Sequence, residues 1–271
     1  MPPESSTRFR LKVQYDGSPF HGWQLQPGVP TVQGALEEVL TRISGAPRRV
    51  VGSGRTDRGV HALAQIAAVD LPAGWRAGKL RSALNALLPE EIRIFEVRRV
   101  HPDFHPRYDA LERSYDYLVG TERMANSPFH ARWCWALPNA MLDREALGRM
   151  AALLPGERSF RSFAKAGQPE RGERCRVVSA EWRPWRDLGL RFTIRADRYL
   201  HHMVRYLVGT MIEAARGIRP EAEFAELLHD PDGDGTTSPP APARGLFLTR
   251  VVYPSLPPDI PLDCDPLPET P

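Results

Sequence analysis

Arg8-Phe9-Arg10-Leu11-Lys12-Val13-Gln14-Tyr15 sets Phe9, Leu11, Val13 and Tyr15 on one side of the chain and polar residues on the other. Side chains of a strand alternate between faces, so this stretch predicts a half-buried β-strand. Turn chemistry follows at Asp16-Gly17-Ser18-Pro19. After Pro30 the spacing becomes helical. Thr31 is placed to cap a helix carrying Val32, Leu36, Val39, Leu40 and Ile43 on one stripe, and Gly45-Ala46-Pro47 stops it. Further strands are predicted at 61–69, 92–97, 114–119, 177–182, 190–196 and 247–253. Further helices are predicted around Leu80, Leu84 and Leu87, over 144–154 behind an Asp143 cap, and near 200–215 and 221–228. Strands and helices mix without strict alternation, and several strands alternate in polarity. The expected fold class is therefore α+β, a mostly antiparallel mixed sheet with helices packed on one face. Two lobes are expected, 8–105 and 106–253, with flexible tails at 1–7 and 254–271. The Asp-, Gly- and Pro-rich stretch 230–243 reads as loose as well.

Composition narrows the class without naming a partner. The 271 residues are 42% hydrophobic and 25% charged, enough to bury a sizeable core and to exclude wholesale disorder. No run of 18 apolar residues provides a membrane span, and Met1 to Thr7 lack the pattern of a secretion signal. Cys134, Cys175 and Cys264 stand singly, with neither disulfide-framework nor zinc-ligand spacing, and a cytoplasmic location is expected. The net charge is only +3, yet all but three of the 36 basic residues are arginine. Arginine suits phosphate and base recognition, although a genome-wide codon bias produces the same excess.

Gly52-Ser53-Gly54-Arg55-Thr56-Asp57-Arg58-Gly59-Val60-His61-Ala62 is the most distinctive stretch. Its glycine spacing fits neither a dinucleotide fingerprint nor a P-loop. Three glycines around one acid suggest tight turns that project Asp57 into a cleft, with Arg55 and Arg58 holding it ionised and offering donors to phosphates; an Asx turn in a surface loop is the plainer reading. On the helix near 200–215, Arg205 shares the border of a wide apolar face with His201 and His202. A buried arginine needs an anion, which Asp57 would supply. The two histidines read either as a packed pair or as metal ligands, but no spaced Asp, Glu or Cys completes a metal set. After Phe104 to Ala110 come Arg113, Tyr115 and Tyr117, which face one way on a strand and form an aromatic and basic stripe suited to stacking on an unpaired base, or else a sheet face packed under a helix.

In order along the chain, Tyr15-Asp16-Gly17-Ser18, Gly22-Trp23-Gln24, Gly54-Arg55-Thr56-Asp57, Gly59-Val60-His61-Ala62, Phe104-His105 with Arg107, Arg113 with Tyr115 and Tyr117, Ser162-Phe163, His202-Met203-Val204-Arg205 with Val208-Gly209, and Ala243 with Gly245-Leu246 and Leu248 resemble the TruA family of tRNA pseudouridine synthases. The resemblance covers about residues 8 to 253. It implies isomerisation of uridine to pseudouridine at positions 38, 39 and 40 of the tRNA anticodon stem-loop, two similar α+β lobes with a central RNA-binding cleft, a homodimer, and neither cofactor nor metal. It implies that Asp57 is the catalytic nucleophile, that Tyr115 stacks on the target uracil, that Arg55 helps displace the base, and that Arg205 is the ion-pair partner of Asp57. Arg58, Ser114 and Asp116 depart from the family's usual residues. A stacked uridine hides its reacting atoms, so the base must first be flipped. Aspartate attack at C1′, addition at uracil C6 and a glycal route all remain open. A non-catalytic RNA-binding module using Tyr115 and Tyr117, or an Asp-dependent N-glycosidase, would use the same residues.

Overall fold

A computed structural model describes residues 6–165 and 172–254. Of the expected tails, all but Ser6, Thr7 and Pro254 lie outside the described residues, as does Cys264. The chain divides into two compact units, one formed by residues up to Leu111 together with Leu248 onward, the other by Glu112–Phe247.

The first unit carries β1 (Ser6–Tyr15), α1 (Val32–Ser44), β2 (Val51–Gly52), β3 (His61–Pro72), α2 (Ala77–Leu87) and β4 (Ile92–Arg99). β1 lies between β4 and β3 and is antiparallel to both, pairing Leu11 with Val97 and with Ala67. β2 pairs with β3, which is also hydrogen-bonded to the closing strand of the chain, β10 (Leu246–Val252). Phe9, Leu11 and Val13 enter the core as the alternation predicts. Arg10 and Lys12 on the other face are buried too, Arg10 paired with Glu96 and Lys12 set over the Phe95 ring, so β1 is covered on both sides. The Thr31 hydroxyl accepts from the Gly34 N–H at the start of α1, and Gly45, at φ +76°, ends it in the left-handed conformation that glycine tolerates. At the other helix, the Asn85 amide makes two hydrogen bonds to the Ile94 backbone and ties α2 to β4.

The second unit carries β5 (Glu112–Gly120), β6 (Trp135–Ala136), α3 (Arg144–Ala152), β7 (Gly156–Ser159), β8 (Arg174–Trp185), β9 (Gly189–Ala196), α4 (Met203–Ala215) and α5 (Ala222–His229). The strands β5-β9-β8-β7 form an antiparallel run, and β6 adds one short parallel pair to β5. The fold is α+β with mostly antiparallel pairing. Asp143 caps α3 through the Ala146 N–H at 2.9 Å. α4 starts three residues later than the periodicity predicts, because His202 stands at φ +64° and a left-handed residue cannot continue a helix backwards.

The stretch expected to be loose is packed onto α4 over its second half. The Arg205 carbonyl accepts from Ala241 N–H at 2.9 Å, and the Thr210 hydroxyl accepts from Ser238 N–H at 3.2 Å. A Cβ on Gly209 would lie 2.2 Å from the Pro239 carbonyl, and Ser238 and Ala241 are buried. Proline, aspartate and glycine in this number forbid a helix or strand but not close packing. Among the described residues, no helix is long and apolar enough to cross a membrane.

Candidate active site

The residues singled out on sequence divide between the units. Arg55 and Asp57 belong to the first, Tyr115 and Arg205 to the second. In the first, residues 53–60 bridge from β2 to β3. Val60 N–H donates to the Asp57 carbonyl at 3.1 Å, closing a turn in which Gly59 takes φ +74°. Gly59 is thus the glycine that the turn requires. Gly52 serves close approach instead: a Cβ there would lie 2.6 Å from the Trp23 indole. Nothing in the structure explains Gly54. Asp57 is half-buried, while Arg55 and Arg58 are exposed.

The loop does not hold itself. The Thr56 carbonyl accepts from Trp23 N–H at 3.0 Å, and the Thr56 and Tyr15 hydroxyls lie 2.7 Å apart. A Cβ on Gly22 would come within 2.6 Å of the Thr56 carbonyl, and one on Gly17 within 2.0 Å of the Val60 carbonyl. The motifs at 15–18 and 22–24 are therefore a bracket for the Asp57 loop. From the β3 side, Gln65, fully buried, accepts from the Ser53 hydroxyl at 2.6 Å and donates to the Gly54 carbonyl at 2.9 Å. Sequence reading passed over Gln65. The one signal it left is an amide among apolar residues, where a buried polar group must find partners.

Asp16 and His61 join the two ends of this bracket. His61 Nδ1 lies 3.1 Å from Asp16 Oδ1 and 3.0 Å from Gly17 N. Without a proton Nδ1 accepts from Gly17 N–H; with one it donates to the carboxylate. Burial alone would raise the pKa of Asp16, but hydrogen bonds from His61 and Ser18 outweigh it and hold the carboxyl well below the usual carboxylate range.

In the second unit Tyr115 is half-buried on β5, its ring set edge-on to Tyr199 at 4.9 Å. The Tyr199 hydroxyl is 2.9 Å from the Arg113 carbonyl and 3.0 Å from that of Ile194, and Arg113 donates to the Asp197 carbonyl. Tyr117 shares the face of Tyr115 but is a core residue, 0% exposed, with its hydroxyl donating to the Pro242 carbonyl at 2.7 Å. A Cβ on Gly245 would lie 2.8 Å from the Tyr117 ring. The expected stripe is thus cut down to Arg113 and Tyr115. The preceding stretch, 104–110, belongs to the first unit. There Asp109 accepts from the His105 N–H and closes a local turn, and Phe104 lies against Tyr253. Arg205 is half-buried on α4 and donates from Nε to the Ala241 carbonyl at 2.7 Å. The His201 and His202 rings lie 4.2 Å apart at the start of α4. Asp116, one of the departures, accepts from the Thr193 hydroxyl and faces Arg191 at 4.0 Å. Burial pushes the Cys134 and Cys175 thiols up to about 11 and about 12, so neither is a thiolate at neutral pH.

Known proteins are similar to this sequence along most of its length. The family described as tRNA pseudouridine synthase matches residues 12–109 and 150–254. A tRNA pseudouridine synthase A of Solibacter usitatus is 41% identical over 91% of this chain and 99% of its own. Proteins of the same name from Porphyromonas gingivalis and Chlorobium chlorochromatii are each 38% identical, over 92% and 90% of this chain and 98% of their own lengths.

Proposed function

Because this chain belongs to the tRNA pseudouridine synthase family, we propose that it isomerises its target uridine through the carboxylate of Asp57. The protein is an isomerase that makes pseudouridine in tRNA. The observation supporting Asp57 as the working group is its setting: an acid left half-exposed on a loop whose neighbours Ser53, Gly54 and Thr56 are all fixed by hydrogen bonds to other segments. Such a loop keeps a reactive group in one place at little further entropic cost when substrate binds.

The chemistry balances without an added reactant. The N1–C1′ bond breaks, the uracil turns, C5 bonds to C1′, the proton on C5 leaves and N1 ends protonated. Flipping the base out of its stack exposes C1′ and the uracil to the carboxylate, which acts by attack at C1′, by addition at C6, or by drawing a proton on the glycal route. A uracil stacked on the half-buried Tyr115 ring would have its plane fixed, and exposed Arg55 is available to a displaced base or a phosphate. The roles of Tyr115, Arg55 and Arg205, the last as ion-pair partner of Asp57, rest on the family resemblance. So do a homodimer and the anticodon stem-loop, at positions 38, 39 and 40, as the target.

Asp57→Asn tests the reading. The variant is expected to lose pseudouridine formation in nucleotide-resolution carbodiimide mapping, while tRNA binding stays close to wild type because phosphate contacts supply most affinity. Turnover near wild type would reject Asp57. Release of free uracil by the wild-type protein would mark a glycosidase, and absent tritium release from C5-labelled uridine would mark a binding module. Mapping at other positions would reject the anticodon stem-loop.

A further inference from the structure

Two side chains outside the loop hold the residues that lead into Asp57. Gln65 is fully buried on β3, and both ends of its amide are used, the oxygen on the Ser53 hydroxyl and the nitrogen on the Gly54 carbonyl. The amide has one workable orientation, since a flip would set its oxygen against the Gly54 carbonyl. Opposite, on β1, the Tyr15 hydroxyl meets that of Thr56, the residue before Asp57, at 2.7 Å. The Thr56 carbonyl is held separately by Trp23 N–H, so the hydroxyl pair fixes what the backbone bond leaves free, the rotation of this residue about the chain.

We propose that Tyr15 and Gln65 are positioning residues for uridine isomerisation: they clamp Thr56 from β1 and Ser53-Gly54 from β3, and so set where the Asp57 carboxylate stands. The proposal rests on Asp57 being the group that acts on the uridine. The core around β1 and β3 is made by Phe9, Leu11, Ile66 and Val69, which need neither clamp. Loss of one hydrogen bond therefore moves the melting temperature by only about 2–4 °C. A reacting group displaced by about 1 Å slows the step by about 10²-fold. Rate and stability consequently separate, which a purely structural role would not produce.

The full chain is tested on unmodified tRNA by tritium release, with kcat, KM and melting temperature measured for Tyr15→Phe, Thr56→Val, their double variant, Thr56→Ser and Gln65→Glu. Tyr15→Phe keeps the ring; Gln65→Glu keeps the shape and removes the donor to Gly54. The latter also buries a carboxylate, so this variant alone is expected to melt lower than one lost hydrogen bond would make it, and it is read by kcat at a temperature where it is folded. Tyr15→Phe, Thr56→Val and Gln65→Glu are each expected to lower kcat about 10- to 100-fold, with KM within about twofold of wild type. The double variant should be no slower than the slower single one, because both remove one shared contact. Thr56→Ser restores the hydroxyl and should recover most of kcat. Wild-type kcat in Tyr15→Phe or Gln65→Glu, or multiplying losses in the double variant, would overturn the clamp, as would losses that follow the melting temperature. Asp57→Asn is run beside them: if it turns over, the reading of Asp57 fails; if it is inert while Tyr15→Phe is unimpaired, the clamp alone fails.

Discussion

Residues 53–60 and 230–242 are both irregular, and each is pinned where a glycine lets two backbones touch, Gly17 and Gly22 for the first and Gly209 for the second. The first is held by amide and hydroxyl groups of strands and their flanking turns, and its charged side chains stay at least partly exposed. The second is held by α4, through Arg205 and Thr210, and by Arg219 beyond the end of that helix, and turns Ser238 and Ala241 inward. Its carbonyl at Pro242 also ends the Tyr117 hydroxyl. One segment is fixed in order to present a group, the other in order to cover one. Composition cannot separate these cases; the partners of the backbone can.

Substitutions can sharpen or break this contrast. The largest effect is expected from Gly17→Ala, whose new Cβ meets the Val60 backbone carbonyl with no flexible atom to give way. A loss of about 3 kcal/mol in urea unfolding, with isomerisation abolished, is the expected result; a stable, active variant would show that the loop is not pinned there. Gly209→Ala should cost less, about 1–3 kcal/mol, since the segment it displaces lies on the surface of α4. Hydrogen exchange should quicken across 230–242 and stay unchanged at 53–60, and faster exchange in both would dissolve the distinction. Tyr117→Phe strands the Pro242 carbonyl and is expected to cost about 1 kcal/mol by thermal unfolding. The smallest effect concerns pH. Asp16 has a lower pKa folded than unfolded. It therefore adds stability at pH values above the ordinary carboxylate value near 4, and that contribution fades as the pH falls below it. Asp16→Asn should flatten the stability profile below about pH 4 relative to wild type; parallel profiles would mean that the carboxylate gains nothing from His61 and Ser18.

Local signals were readable along the chain. Thr31, Gly45 and Asp143 act where the sequence puts them, because a cap depends on residues three or four positions away. The alternation of β1 and the bend around Asp57 were legible for the same reason. What escaped was set by distant partners. Gln65 and Tyr15 gain meaning only when β3 and β1 lie beside the loop, and Tyr117 turns from a stacking face into core because residues 242–245 cover it. β6 and β7, of two and four residues, are too short to show a period. The closing strand pairs with β3 across more than 170 residues, a pairing that no window of sequence reveals.

The chain leaves the first unit at Leu111 and re-enters it at Leu248. During synthesis the ribosome therefore completes the whole second unit before the strand that finishes the first one emerges. Until then β3 lacks the neighbour that β10 provides, and an incomplete strand edge is where nascent chains join one another. The time between the synthesis of Pro72 and that of Leu246 is therefore a time during which the β3 edge waits for its last neighbour.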